Sequence, residues 1–172
     1  IAAIVHFLPP LRPGLDRLAA FANAIPGIAI GPILIVTIGR DAAPTTLAAM
    51  YVYFLVYVAA SSGLHAARPA HQDVFSVLGA RPWRRFTSLE VPAALPTVVT
   101  ALKLCAPVAL LGAILGEWFG AERGLGVLIV NAMQNFQIPL LWAAVTLAAA
   151  LSLAAFGVLA IVERTVAARY RG

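Results

Sequence analysis

Of four stretches, 18–38, 44–64, 95–119 and 140–162, only the third contains any charged side chain, namely Lys103 and Glu117. Each is long enough, at about 1.5 Å per helical residue, to cross about 30 Å of hydrocarbon. In that medium a backbone must bond to itself, which favours a helix. Composition agrees: 62% hydrophobic and 11% charged residues leave too few charges to cover a water-soluble surface. The expected fold class is therefore all-α, a polytopic transmembrane helical bundle with four spans in a single domain, 1–172. Residues 1–10 are also apolar and stop at Pro9 and Pro10, as the tail of an earlier span would. The chain opens on Ile1 with no signal peptide, so a missing N-terminal portion is expected.

The net charge of +5 is scattered around the apolar runs rather than gathered in a stripe, which argues for membrane topology and against nucleic acid. If the polar loop 65–94 is cytoplasmic, alternation of four spans puts the N-terminal segment and the C-terminus there too. That side then holds Arg12, Arg17, Arg68, Arg81, Arg84, Arg85, Arg164, Arg169 and Arg171, against Arg40 and Arg123 outside. Such an excess is the positive-inside signature.

The spans are rich in small residues. Gly27 and Gly31 are four apart in the first, and Gly112, Gly116 and Gly120 form a ladder in the third, a spacing that lines one helix face for close packing. Pro26 and Pro32 are expected to kink or partly unwind the first span, and Pro107 the third. Irregular backbone at membrane depth is tolerated where it is buried or lines a wet cavity, which favours a transporter over an anchor.

Within loop 65–94, Pro69, Gln72 and Asp73 suit the first turn of a short helix from about Ala70 to Leu78. Val74, Val77 and Leu78 would share one face, and Gly79 fits as the left-handed terminator. Pro82 and Trp83 begin a second segment whose Arg84 and Arg85 can meet lipid phosphate, and Pro92 and Pro96 bracket re-entry to the membrane.

The run Asp73-Val74-Phe75-Ser76-Val77-Leu78-Gly79, then Leu89-Glu90-Val91-Pro92, resembles the "EAA" loop of ABC-importer permeases. Gly79, Leu89, Val91 and Pro92 fall in register and Asp73 stands for the usual Glu, while Val74 and Phe75 replace two alanines. Ala24-Ile25-Pro26-Gly27-Ile28-Ala29 through Pro32 is similar to the "IPxxAxxPL" segment of the nitrate/sulfonate/taurine branch. Gly116-Glu117-Trp118-Phe119-Gly120 with Gly124-Leu125-Gly126 resembles its "AExxG…GLG" segment, and Glu163-Arg164 its closing acidic-basic pair. Four matches in order, from about residue 18 to 165, carry the resemblance. It implies a type I ABC-importer permease in the bacterial inner membrane, working as a homodimer with two cytosolic ATPases and an extracytoplasmic solute-binding protein. It also implies that the loop helix docks in a groove of the ATPase, that ATP and Mg are bound there rather than by this chain, and that full members carry about six spans.

The residues themselves offer little other chemistry. The single lysine has no glycine-rich loop before it, so no phosphate-binding loop is present. His65 and His71 lie on roughly opposed helix faces and His6 is remote from both in sequence, so no metal site is expected. Cys105 is the only cysteine and reads as a small buried residue. Ser61 and Ser62 read as helix residues bonding to backbone carbonyls, the alternative being an intramembrane serine protease. Lys103 either snorkels or pairs structurally, or serves the translocation pathway. Glu117 is either interfacial or part of the gate. Membrane charges of this kind cost roughly 3 kcal/mol on insertion scales and need relief. The expected function is solute import coupled to ATPase closure, for a nitrate-, sulfonate-, taurine- or pyrimidine-precursor-like solute. A standalone channel or secondary carrier is the alternative.

Overall fold

A computed structural model of the chain describes residues 2–67, 73–75 and 77–170. Those residues form helices joined by short turns, with no strand among them. A short α1 (Ala2–Phe7) leads through a 3-10 turn, Pro9–Leu11, into α2 (Arg12–Ala24). Then come α3 (Gly27–Ile38) and α4 (Ala43–Leu64). After loop residues, α5 (Pro82–Arg85) passes through a π-helical turn, Phe86–Glu90, into α6 (Val91–Trp118). A short α7 (Leu125–Gln134) and a long α8 (Ile138–Tyr170) complete the chain.

Three helical stretches are long and apolar enough to cross a membrane alone: Ala43–Leu64, Pro82–Trp118 and Ile138–Ala168. The expected first span takes a different form. It is two helices, α2 and α3, meeting at 95°. Pro26 has no N–H to donate and forces the residue before it out of the helical region, and Ile25 and Pro26 both sit extended with ψ of 122°. The pair counts as a fourth span only if the bend is included. Pro32 and Pro107 do not break their helices as expected: α3 and α6 run on through both. Re-entry at Pro92 and Pro96 is likewise not a boundary, since one helical run already begins at Pro82.

The centre of the bundle is the antiparallel pair α4 and α6. A Cβ on Gly112 would meet the Cα of Ala48 at 2.7 Å, and one on Gly116 would collide with the Cα of Pro44. At the other end Gly63, which the sequence reading did not single out, faces the Cα of Ala94 at 3.1 Å. Glycine here removes the side chain that would hold two backbones apart, and the gain is dispersion contact along the whole seam. Gly27 lies against the Tyr51 ring and Gly31 against the Phe119 ring, fixing α3 across the pair. Gly120 differs from the expected ladder. It lies beyond the end of α6 with φ of 125°, where only Arg40 Nε comes within 4 Å, so its glycine serves a turn.

α8 packs on α6 and α7 and buries Ala144 and Ala148, yet leaves Leu147, Leu151, Leu153, Val158 and Ile161 exposed. At 33 residues it is about 50 Å long, more than the hydrocarbon thickness. An apolar surface of this kind is at home among lipid tails or other helices.

Replacing Gly112 by Leu should destabilise the detergent-solubilised protein by about 1–3 kcal/mol, the usual cost of overpacking. Gly157→Leu, at a position with nothing within 4 Å, serves as the comparison. A thermal-unfolding scan should show a clear drop in Tm for the first and almost none for the second.

Candidate functional site

The bundle has a loop end, carrying the described residues between 65 and 94, and a far end. At the loop end the described part of the short helix, residues 73–75 and Val77, closes on Gly79. Ala80 N–H reaches back to the Phe75 carbonyl at 3.0 Å, and Gly79 takes φ of 62°, the left-handed value that suits glycine. Ala70, Gln72 and Ser76 of the expected helix lie outside the described residues. Asp73 is exposed, and Val74, Val77 and Leu78 are 54%, 87% and 76% exposed, with Trp83 at 65% beside them. Four large apolar side chains standing in the open at one end of a protein form a surface that water does not favour. A hollow of about 730 Å³ lies alongside, lined by Phe75, Leu78, Gly79, Ala80, Arg81, Arg84 and Ser88. Leu89, Val91 and Pro92, expected in the same loop, belong to the helical run entering the bundle.

Glu90 lies in that run and is 3% exposed, the one buried charged residue among those described. The π turn places it there: Val91 N–H bonds to the Phe86 carbonyl five residues back, which adds a residue to the turn. Arg85 Nε donates to Glu90 Oε1 at 2.9 Å, and His6 Nε2 from α1 lies 2.6 Å from Oε2. Around them the rings of Phe7, Phe86 and Trp83 stack, with centroids 4.9–6.0 Å apart. His6 is remote in sequence from His65, yet their ring centroids are 5.8 Å apart. His65 Nδ1 lies 2.7 Å from the Ser61 carbonyl, and Arg12 Nη1 is 3.2 Å from its Nε2. Ser62 Oγ donates to the Val58 carbonyl at 2.6 Å, a helix-internal use of its proton. Among the described residues no group of three or more His, Cys, Asp or Glu is placed to hold a metal ion; His71 lies outside them.

Two further charged positions lie in the bundle. Lys103 Nζ donates to Glu163 Oε2 of α8 at 2.5 Å, Thr100 Oγ1 donates to Glu163 Oε1 at 2.6 Å, and the Phe156 ring lies 5.4 Å from the ammonium. Because Gly63 faces Ala94 and Gly116 faces Pro44, Lys103 lies nine residues, about 13 Å, inside the α4–α6 seam. The sequence drew attention to Lys103 but not to its partner across 60 residues.

At the far end Glu117 accepts the Gly126 N–H at 2.6 Å. This carboxylate satisfies a free donor in the first turn of α7 and meets the positive end of that helix. A Cβ at Gly124 would collide with the Glu117 carboxyl, and one at Gly126 with the Ile114 carbonyl oxygen. The spacing of Glu117 to the glycines 124 and 126 is thus a capping device. The four expected spans assign no element to residues 120–139; Gly124 ahead of an apolar run was the available signal for α7. A hollow of about 500 Å³ opens beside Glu117, between Arg40, Asp41, Thr45, Glu122 and Arg123.

A polytopic α-helical membrane bundle is thus the class that these helices define. The family described as "Binding-protein-dependent transport system inner membrane component" matches residues 1–168, and the chain belongs to it. It is similar to a "Probable ABC transporter permease protein" of Haemophilus influenzae, 31% identical over 88% of this chain and 62% of that one. It also resembles the "Formylaminopyrimidine transport permease protein ThiX" of Halalkalibacterium halodurans, 29% identical over 83% of this chain and 57% of the relative. A third relative is the "Putative aliphatic sulfonates transport permease protein SsuC" of Bacillus subtilis, 27% identical over 72% and 45%. The chain spans at most about three fifths of the length of these relatives. No solved structure matches. The chain is therefore a multi-pass inner-membrane member of the ABC-importer permease family.

Removing the Glu117 carboxylate should loosen α7. Glu117→Ala is expected to cost about 1–2 kcal/mol, the scale of a lost helix cap, and to speed hydrogen exchange of the α7 amides. Glu117→Gln, which keeps an oxygen acceptor, should do so less. The α6–α8 ion pair should behave as a unit. Side chains 19% and 23% exposed place Lys103→Met at the lower end of the few kcal/mol that breaking a buried pair costs. Adding Glu163→Gln should recover part of the lost Tm, because the carboxylate that has lost its ammonium neighbour is then no longer charged.

Proposed function

We propose that this chain supplies the membrane pathway of an ATP-driven solute importer and turns closure of a partner ATPase into alternating access. The observation that carries this reading is the exposure of Val74, Val77 and Leu78, held on a glycine-terminated turn, and of Trp83 at the start of the helical run Pro82–Trp118 that follows. A surface so apolar at an end bearing Arg81, Arg84 and Arg85 fits a protein partner better than water. The helix that follows it offers a rigid route into the bundle. Asp73 to Gly79 and Leu89 to Pro92 form the coupling element in this reading, and the Arg excess supports a cytosolic setting for that end and the C-terminus. Lys103 and Glu117 act as structural fasteners of the pathway walls.

The remaining parts follow from kinship. A dimer of cytosolic ATPases binds ATP and Mg, a second copy of the permease completes the passage, and an extracytoplasmic protein delivers the solute. The relatives' names, which include formylaminopyrimidine, riboflavin and aliphatic sulfonates, support a small anionic or heteroaromatic solute.

Co-purification tests the reading. The complete permease would be tagged and expressed with the candidate ATPase encoded beside it, as wild type and as Gly79→Glu. Nothing lies within 4 Å of a Cβ at Gly79, so the change alters the docking surface and strains only one turn. Retention of the ATPase by wild type and its loss from the variant is expected. Equal retention by both would remove the coupling assignment, and no retention by either, with ATP-independent flux in vesicles, would point to a channel or carrier.

A further inference from the structure

Glu90 falls at a spacer position within the Leu89–Pro92 part of the loop motif, and the importer reading gives its side chain no role of its own. Its surroundings are unusual. It is 3% exposed, it occupies the one π-helical turn of the described residues, and each of its oxygens faces a different helix. Oε1 is held by Arg85 of α5 at 2.9 Å. Oε2 has no aligned hydrogen bond among the described residues and meets instead the His6 ring of α1, whose Nε2 is 2.6 Å away. His6 Nδ1 is also buried without a partner there. Buried polar groups left partly unsatisfied are costly, and a π turn in a long helix is costly too, so both tend to persist where they serve function.

The position explains what that function could be. A hollow of about 310 Å³ is lined by His6, Phe7, Phe75, Ala80, Pro82, Arg85 and Glu90. Phe75 and Ala80 belong to the coupling segment, His6 and Phe7 to α1, and Arg85 and Glu90 to the root of α6. The space lets the coupling segment move against the other two. The contact of Glu90 with His6, backed by the rings of Phe7, Phe86 and Trp83, holds α1 and the root of α6 together while it does so. Leu64, Phe86 and Ala94 form a buried cluster beneath, with Ala2 and Val91 packed on it, so the foot of α4 is tied to the same joint.

We infer that Glu90 is a positioning residue for coupling: its contact with His6 makes α1 and α6 move as one body when the coupling segment is displaced. This rests on the importer reading, and the experiment separates the two. The complete permease with its ATPase would carry a single spin label at Glu122→Cys, a far-end exposed position, in a Cys105→Ala background. The distance between labels on two permease copies would be measured without nucleotide and after trapping with ATP and vanadate. Wild type should retain the ATPase and show a shift on trapping. Glu90→Gln should retain the ATPase and trap nucleotide equally, yet lose the shift. His6→Leu, which leaves Oε2 facing an apolar side chain, should lose it as well. His6→Arg, which again offers N–H donors to Oε2 and has the hollow to fit into, should regain it. The inference is overturned if Glu90→Gln and His6→Leu shift as wild type does, or if either loses the ATPase, which would make the contact part of docking or folding. Should Glu90→Gln fail to accumulate, the His6 pair decides alone. A wild type that neither retains the ATPase nor shifts would instead bring down the importer reading.

Discussion

Close approach of α4 and α6 is the contact on which the rest of the bundle is assembled. In lipid there is no hydrophobic drive between helices, so association depends on how many atoms can touch. Gly63, Gly112 and Gly116 let the two backbones meet near both ends of the seam. Every later placement is measured from that pair. α3 crosses it through Gly27 and Gly31, α8 lies along α6, and α7 is capped from the end of α6 by Glu117.

Polar groups then fix what packing alone would leave free to slide. Three carboxylates hold three different junctions: Glu90 between α1 and the root of α6, Glu163 between α8 and α6, and Glu117 between α6 and α7. Asp16 adds a fourth, accepting the Tyr57 hydroxyl at 2.6 Å and tying α2 to α4. In a low-dielectric setting each such bond sets a register, because a slip by one residue would leave an unpaired charge. The apolar helices therefore supply the surface and a few ionised groups supply the addresses.

Much of this was legible in the residue order, for identifiable reasons. Spans 44–64 and 140–162 announced themselves because uncharged runs of that length have few other folds. Gly79 could be read as a helix terminator because only glycine takes that φ without cost, and Pro26 as a disturbance because it has no N–H. The severity at Pro26 was not legible, nor the tolerance at Pro32 and Pro107. A missing hydrogen bond can become a bend or be absorbed, and the neighbours decide which. Lys103 was visible as an anomaly, whereas Glu163 as its partner was not. His6 looked isolated and proves to be one wall of the Glu90 site. Gly120 shared the ladder's spacing but lies past the helix end, where spacing no longer implies a face.

By itself the sequence determined the solvent this chain folds in, its helical class and the segments able to cross. Transfer of apolar residues out of water and the need to satisfy the backbone are properties of composition and length. Tertiary structure alone decided which charges meet, where the broken helix turns, and that Glu90 is enclosed between α1 and α6. Those outcomes depend on contacts between residues far apart in the chain, 84 positions in the case of His6 and Glu90. No local pattern encodes a partner at that separation; only the close packing of α4 and α6 brings the two within bonding distance.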